Sequence, residues 1–79
     1  MKKTEELQIF CKNITDLRVK NNLTQKEMAE KLGIAPASIS LLEQGIVPPK
    51  LGCAIFVSIY KHFGIVPKDM FNPLQDNIP

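Results

Sequence analysis

Residues 24–44, TQKEMAEKLGIAPASISLLEQ, decide how the rest of the chain is to be read. Thr24 followed three residues later by Glu27 is a capping box, in which the hydroxyl and the carboxylate each satisfy a backbone N–H left unpaired at a helix start. Leu23 and Met28 flank it as a hydrophobic staple. The pattern predicts a helix from about Gln25 to Leu32, ended by Gly33 in the left-handed conformation. After Ile34 and Ala35, Pro36 suits the first position of a second helix, where no N–H is needed. That helix runs to about Gln44 and stops at Gly45. Met28, Ala29 and Leu32 fall on one face of the first helix, Ile39 and Leu42 on one face of the second. Helices crossing this close to a short turn need a small side chain at the crossing, and Ala29 supplies it without the backbone cost of Gly.

A helix, a glycine turn and a second helix occur in many small all-helical proteins that bind nothing. Here Gln25, Ala29, Gly33, Ile39 and Leu42 stand at the spacing of the DNA-binding helix-turn-helix, and the flanks resemble the phage repressor and Cro type, the XRE family. Arg18 and Glu43 resemble that family's buried Arg/Glu pair, which ties the first helix to the end of the recognition helix. The run LEQG at 42–45, followed by a Pro-containing loop and another apolar helix, is similar as well. The resemblance covers roughly residues 14–71. It implies an all-α, five-helix, lambda-repressor-like DNA-binding domain with its helix-turn-helix at about residues 24–44.

Seventy-nine residues make one small domain with one modest core. We expect that core within 4–71 and an extended tail over 72–79. The hydrophobic share of 44% against 23% charged residues is that of a globular chain and not a disordered one. Cys11 and Cys53 each fall in an apolar helical pattern and are expected in the core. They lack metal-ligand spacing, and with one histidine, His62, there is no zinc set and no reason to propose a disulfide. His62 reads as a packed or surface residue. No cofactor and no small-molecule ligand is implied. No stretch has the form of a signal peptide or the length of a membrane span, so a cytoplasmic protein without membrane contact is expected. A net charge of +2 permits DNA binding without arguing for it.

Along the chain, residues 1–3 are a short basic start. Thr4 is expected to cap a helix with Glu5 and Glu6 in its first turn, the charge sign a helix start favours. Leu7, Phe10, Ile14 and Leu17 then recur at three- and four-residue steps with Cys11 beside them, predicting one apolar face to about Lys20. Leu7 and Phe10 lie before the family minimum and must cover either this core or a partner's surface; core cover is the reading adopted. Asn21 and Asn22 end the helix, since Asn tolerates the left-handed conformation. If the family geometry holds, Arg18 and Glu43 are partly buried, and removing either strands the other at about 3–5 kcal/mol.

The loop Gly45–Lys50 corresponds to the family's backbone-contacting loop, yet it is apolar, and Pro48 and Pro49 lack N–H groups that might hold a phosphate. The next helix is expected from about Pro49 to Phe63, with Leu51, Ala54, Ile55, Ser58, Ile59 and His62 toward the core. Cys53, Phe56, Val57 and Tyr60 then remain on other faces. A helix apolar nearly all round is either fully buried or shared between chains. Phe56 and Tyr60 are therefore dimer candidates, and a core helix covered by the long first helix is the equal alternative. Gly64 ends this helix, and Ile65–Phe71 resembles the family's short fifth helix. Leu74 and Ile78 either dock on a neighbour or lie in a frayed terminus.

The DNA-contacting candidates implied by the resemblance are Gln25, Lys26, Pro36, Ala37, Ser38, Ser40, Leu41, Gln44 and Lys50. No Arg is placed for guanine, and no Asn or Gln sits early enough for a bidentate adenine contact. Ala37 and Leu41 suit thymine methyls, Ser40 several base edges, and Gln44 a phosphate, so direct readout is weak or T-rich. Gln25, the start of its helix, Lys26 and Lys50 are the phosphate candidates. A lone surface lysine is otherwise an ordinary solubilising charge.

Three functions compete. The first is a sequence-specific DNA-binding regulator, a repressor of the phage, mobile-element or antitoxin kind, dimeric on two half-sites about one helical turn apart. The second is a protein-interaction module on the same fold that has lost DNA binding, for which the apolar recognition face speaks. The third, an enzyme or metal protein, fails on content: no nucleophile with clustered carboxylates and no glycine-rich phosphate loop. The first is favoured.

Overall fold

The computed structural model describes residues 2–48 and 51–73, for residues 2–4 the backbone alone. Four α-helices follow in order: α1 (Lys2–Lys20), α2 (Gln25–Leu32), α3 (Pro36–Glu43) and α4 (Ala54–Phe63). A short 3-10 turn, Pro67–Phe71, closes the sequence of elements. The described chain is therefore all-helical with four α-helices, and a 3-10 turn stands where a fifth helix was expected. Pro67 opens the turn and Asn72 is already extended (φ −124°, ψ 150°), so five residues leave no room to propagate an α-helix. α2 packs on α3 and α4, α1 on α3 and the 3-10 turn, and the turn also on α4.

The core follows the periodicity. Phe10, Cys11, Ile14 and Leu17 from α1 meet Met28, Ala29 and Leu32 from α2, Ile39 and Leu42 from α3, and Ile55, Ile59 and Phe63 from α4, with Ile65 and Met70 beneath. α1 rises about 28 Å over its 19 residues. It is longer than the body it covers: Phe10 is buried, but Leu7, one turn earlier, stays 37% exposed and does not act as core cover. α1 also begins two residues before Thr4, which is thus inside the helix and not its N-cap.

α4 differs most from expectation. It starts at Ala54, after a turn in which Leu51 N–H reaches Pro48 O at 3.2 Å, not at Pro49, which lies outside the described residues. Its buried stripe is Ile55, Ile59 and Phe63, while Ala54 and His62 face solvent. Phe56 sets this rotation. Its ring lies 5.5 Å from Phe10 and 5.9 Å from Phe71, and Phe10 and Phe71 are themselves 5.5 Å apart. Pulling Phe56 toward that trio turns the stripe away from Ala54 and His62. Cys53, two residues before Ile55, lies about 200° round from it and is exposed at the helix start. Its expected place in the core is not observed; Cys11 does occupy one.

Asn13 is a buried polar residue that periodicity alone did not mark. Its amide donates to Met70 O and to Asn72 O, both at 2.8 Å, pinning the 3-10 turn to the middle of α1. The buried carbonyl of Met70 and the partly buried one of Asn72 are thereby satisfied. Among the described residues no helix is long and apolar enough to cross a membrane, and no cluster of ligating side chains could hold a metal ion.

Candidate nucleic-acid interface

The pair α2–α3 is built by the local chemistry the sequence prescribes. Thr24 Oγ1 accepts from Glu27 N–H at 3.0 Å, and Glu27 Oε1 accepts from Thr24 N–H at 2.8 Å, which closes the capping box. Gly33 at φ 71° ends α2, its following residue donating back from Ile34 N–H to Ala29 O at 3.0 Å. A β-carbon at this φ is disfavoured for any L-residue. Pro36 then opens α3 without a side-chain cap, and Gly45 at φ 86° turns the chain away after Gln44.

α3 has two unlike sides. Ile39 and Leu42 are fully buried. Ala37, Ser40, Leu41 and Gln44 stand at i, i+3, i+4 and i+7, one stripe of a helix, with Ala37 and Gln44 exposed and Ser40 and Leu41 half-buried. Pro36 is exposed at the start of the helix and Ser38 is half-buried. Eight residues give a helix of about 12 Å, short enough to lie across a major groove of similar width.

The far end of α3 is held by charge. Both carboxylate oxygens of Glu43 are engaged by Arg18, through Nε and through Nη2 at 3.2 Å, and Arg18 Nη1 also donates to Leu23 O at 2.9 Å. The two side chains keep only 22% and 13% of their surface exposed. α1, the 20s turn and α3 are thus joined at one guanidinium, with the fork geometry that favours Arg over Lys. The pairing of Arg18 with Glu43 stands as the resemblance implied.

A third partner was missed. Gln25 Nε2 donates to Glu43 Oε1 at 3.0 Å, so one of the two amide N–H donors that a phosphate would use is already engaged. Nothing local in the sequence could signal a bond across 18 residues. Lys26 is exposed beside it. Glu27, by closing the capping box, places a negative charge at the same helix start and weakens its pull on an anion. Gln44 Nε2 likewise donates to Ser40 Oγ at 3.3 Å, leaving that hydroxyl free to donate. Lys50 lies outside the described residues.

In the loop after α3, Ile46 N–H returns to Leu41 O at 2.9 Å and the Ile46 side chain is 48% exposed. Gln8 Nε2 reaches across from α1 to Gly45 O at 3.2 Å, and a β-carbon at Gly45 would come within 3.0 Å of that amide. Between α1 and this loop runs an open groove lined by Cys11, Thr15, Asp16 and Gln44 among others. It is shallow and mixed in polarity. On α4, Val57 and Tyr60 are 60% and 57% exposed, one turn apart, whereas Phe56 is half-buried in its aromatic trio. The two dimer candidates therefore lie in different settings.

A helix-turn-helix family model matches residues 14–52. Over 54 residues the chain is 39% identical to an uncharacterised HTH-type transcriptional regulator of Methanocaldococcus jannaschii, an alignment spanning 68% of this chain and 79% of that protein. No solved structure matches the chain significantly.

Proposed function

The chain belongs to the XRE-type helix-turn-helix family, and from that membership we propose that it is a sequence-specific DNA-binding regulator acting as a repressor, with α3 in the major groove. The observation that carries this reading is the division of α3: Ile39 and Leu42 are buried against the other helices, and the stripe from Ala37 to Gln44 is left for a partner. Gln25, Lys26, Gln44 and Lys50 are assigned to the phosphates flanking it, and Pro36, Ala37, Ser38, Ser40 and Leu41 to the groove. The protein acts as a homodimer on half-sites about one helical turn apart, joined through the exposed Val57 and Tyr60 of α4 with Phe56 at their edge. Sedimentation showing a monomer at high concentration would remove the dimer from this proposal.

Selection of bound duplexes from a random pool, with the winners followed against salt, tests the function. An inverted repeat whose affinity falls steeply with salt supports it. Negligible binding even at low salt would instead favour the interaction module, for which the uncharged face of Pro36, Ala37, Leu41 and Ile46 is the specific argument.

A further inference from the structure

The outward side of α3 offers DNA few groups that hydrogen-bond. Pro36, Ala37 and Leu41 have none in their side chains. The two polar members of the stripe, Ser40 and Gln44, are bonded to each other at 3.3 Å. Gln25, at the edge of this face, is drawn onto Glu43. Ile46, bonded through its N–H to Leu41 O, extends the apolar surface past the end of the helix. What such a surface distinguishes in a major groove is the one apolar feature displayed there, the methyl group at C5 of a pyrimidine.

We propose, resting on the regulator reading above, that this protein reads its operator through pyrimidine C5-methyl groups. Ala37 and Leu41 are the discriminating side chains, and the hydrogen-bonding edge of the pyrimidine is of little account. The side chains of Ala37 and Leu41, which accept and donate nothing, cannot separate the O4 of thymine from the N4 amino group of cytosine, but they lose contact when the methyl is absent. Thymine and 5-methylcytosine are therefore equivalent at the contacted positions, and both are preferred to uracil and cytosine. Burying one methyl-sized group against apolar atoms corresponds to about a fourfold change in binding.

The test uses the full chain and a duplex obtained by selection. At each pyrimidine of a half-site the base is made in turn thymine, uracil, cytosine and 5-methylcytosine, with the matching purine opposite, and dissociation constants are compared. Thymine and 5-methylcytosine binding about fourfold tighter than uracil and cytosine, at one or more positions, supports the inference. Thymine matching uracil with 5-methylcytosine no better than cytosine, or all four binding alike, overturns it while leaving DNA regulation intact. A protein that binds no duplex loses both readings together. The variants A37G and L41A, folded by circular dichroism, should flatten the preference at their own positions. Should L41A fail to fold, the exposed A37G and the four-base ranking of the unaltered protein decide the matter.

Discussion

Arg18 grips both carboxylate oxygens of Glu43 across 25 residues of sequence, and through Nη1 it also holds Leu23 O, so the start of the helix-turn-helix and its end hang on one side chain. Glu43→Ala leaves that guanidinium half-enclosed without its carboxylate and frees Gln25 as well. We expect a loss of about 3 kcal/mol. In a domain of this size that lowers the melting temperature by roughly 12 °C or more. A melting curve unchanged by the substitution would show that the pair contributes nothing to the fold.

Asn13 makes a second long-range tie. Asn13→Ala strips the partners from Met70 O and Asn72 O, at about 1–3 kcal/mol for each carbonyl that stays buried. Asn13→Asp should be no better, since a carboxylate offers only acceptors to two carbonyls. Thermal melts measure the cost, and amide exchange in residues 67–72 should speed up more than exchange in α2 if the bond acts where it is seen.

The cysteines should behave oppositely. Cys53, exposed at the start of α4, reacts at once with a thiol reagent at neutral pH, and Cys11, buried on the inner face of α1, reacts only after unfolding. Burial also pushes the Cys11 thiol above its ordinary value of 9.0. In the unfolded chain the thiol ionises first, so this contribution to stability is intact below pH 9 and is lost as the pH rises above it. Cys11→Ala should make the melting temperature less sensitive to pH in that alkaline range, although the cavity lowers it overall.

Within the regulator reading, Lys26 and Ser40 separate two kinds of contact. Lys26→Ala should weaken all DNA sequences alike and reduce the slope of log affinity against log salt by about one. Ser40→Ala should leave the slope unchanged and alter preference at a single position, which competition between duplexes measures.

Helix α2, the turn at Gly33 and helix α3 were legible in the sequence, because each is set by contacts within a few residues: a capping box, a left-handed glycine, a proline at a helix start. Their inward residues followed from spacing. The Arg18–Glu43 pair was legible only by resemblance, since two charges 25 residues apart carry no local signal. Tertiary structure decided the rest. The face of α4 that is buried was set by where Phe10 and Phe71 stand, which left Cys53 and His62 in solvent. Asn13 became a core residue because the carbonyls of Met70 in the 3-10 turn and of Asn72 just after it arrive beside it. Gln25 and Gln44 read from the sequence as phosphate contacts, yet the fold gives each a protein partner. Short-range pairing is written in neighbouring residues, whereas a hydrogen bond across the core exists only once the helices have packed.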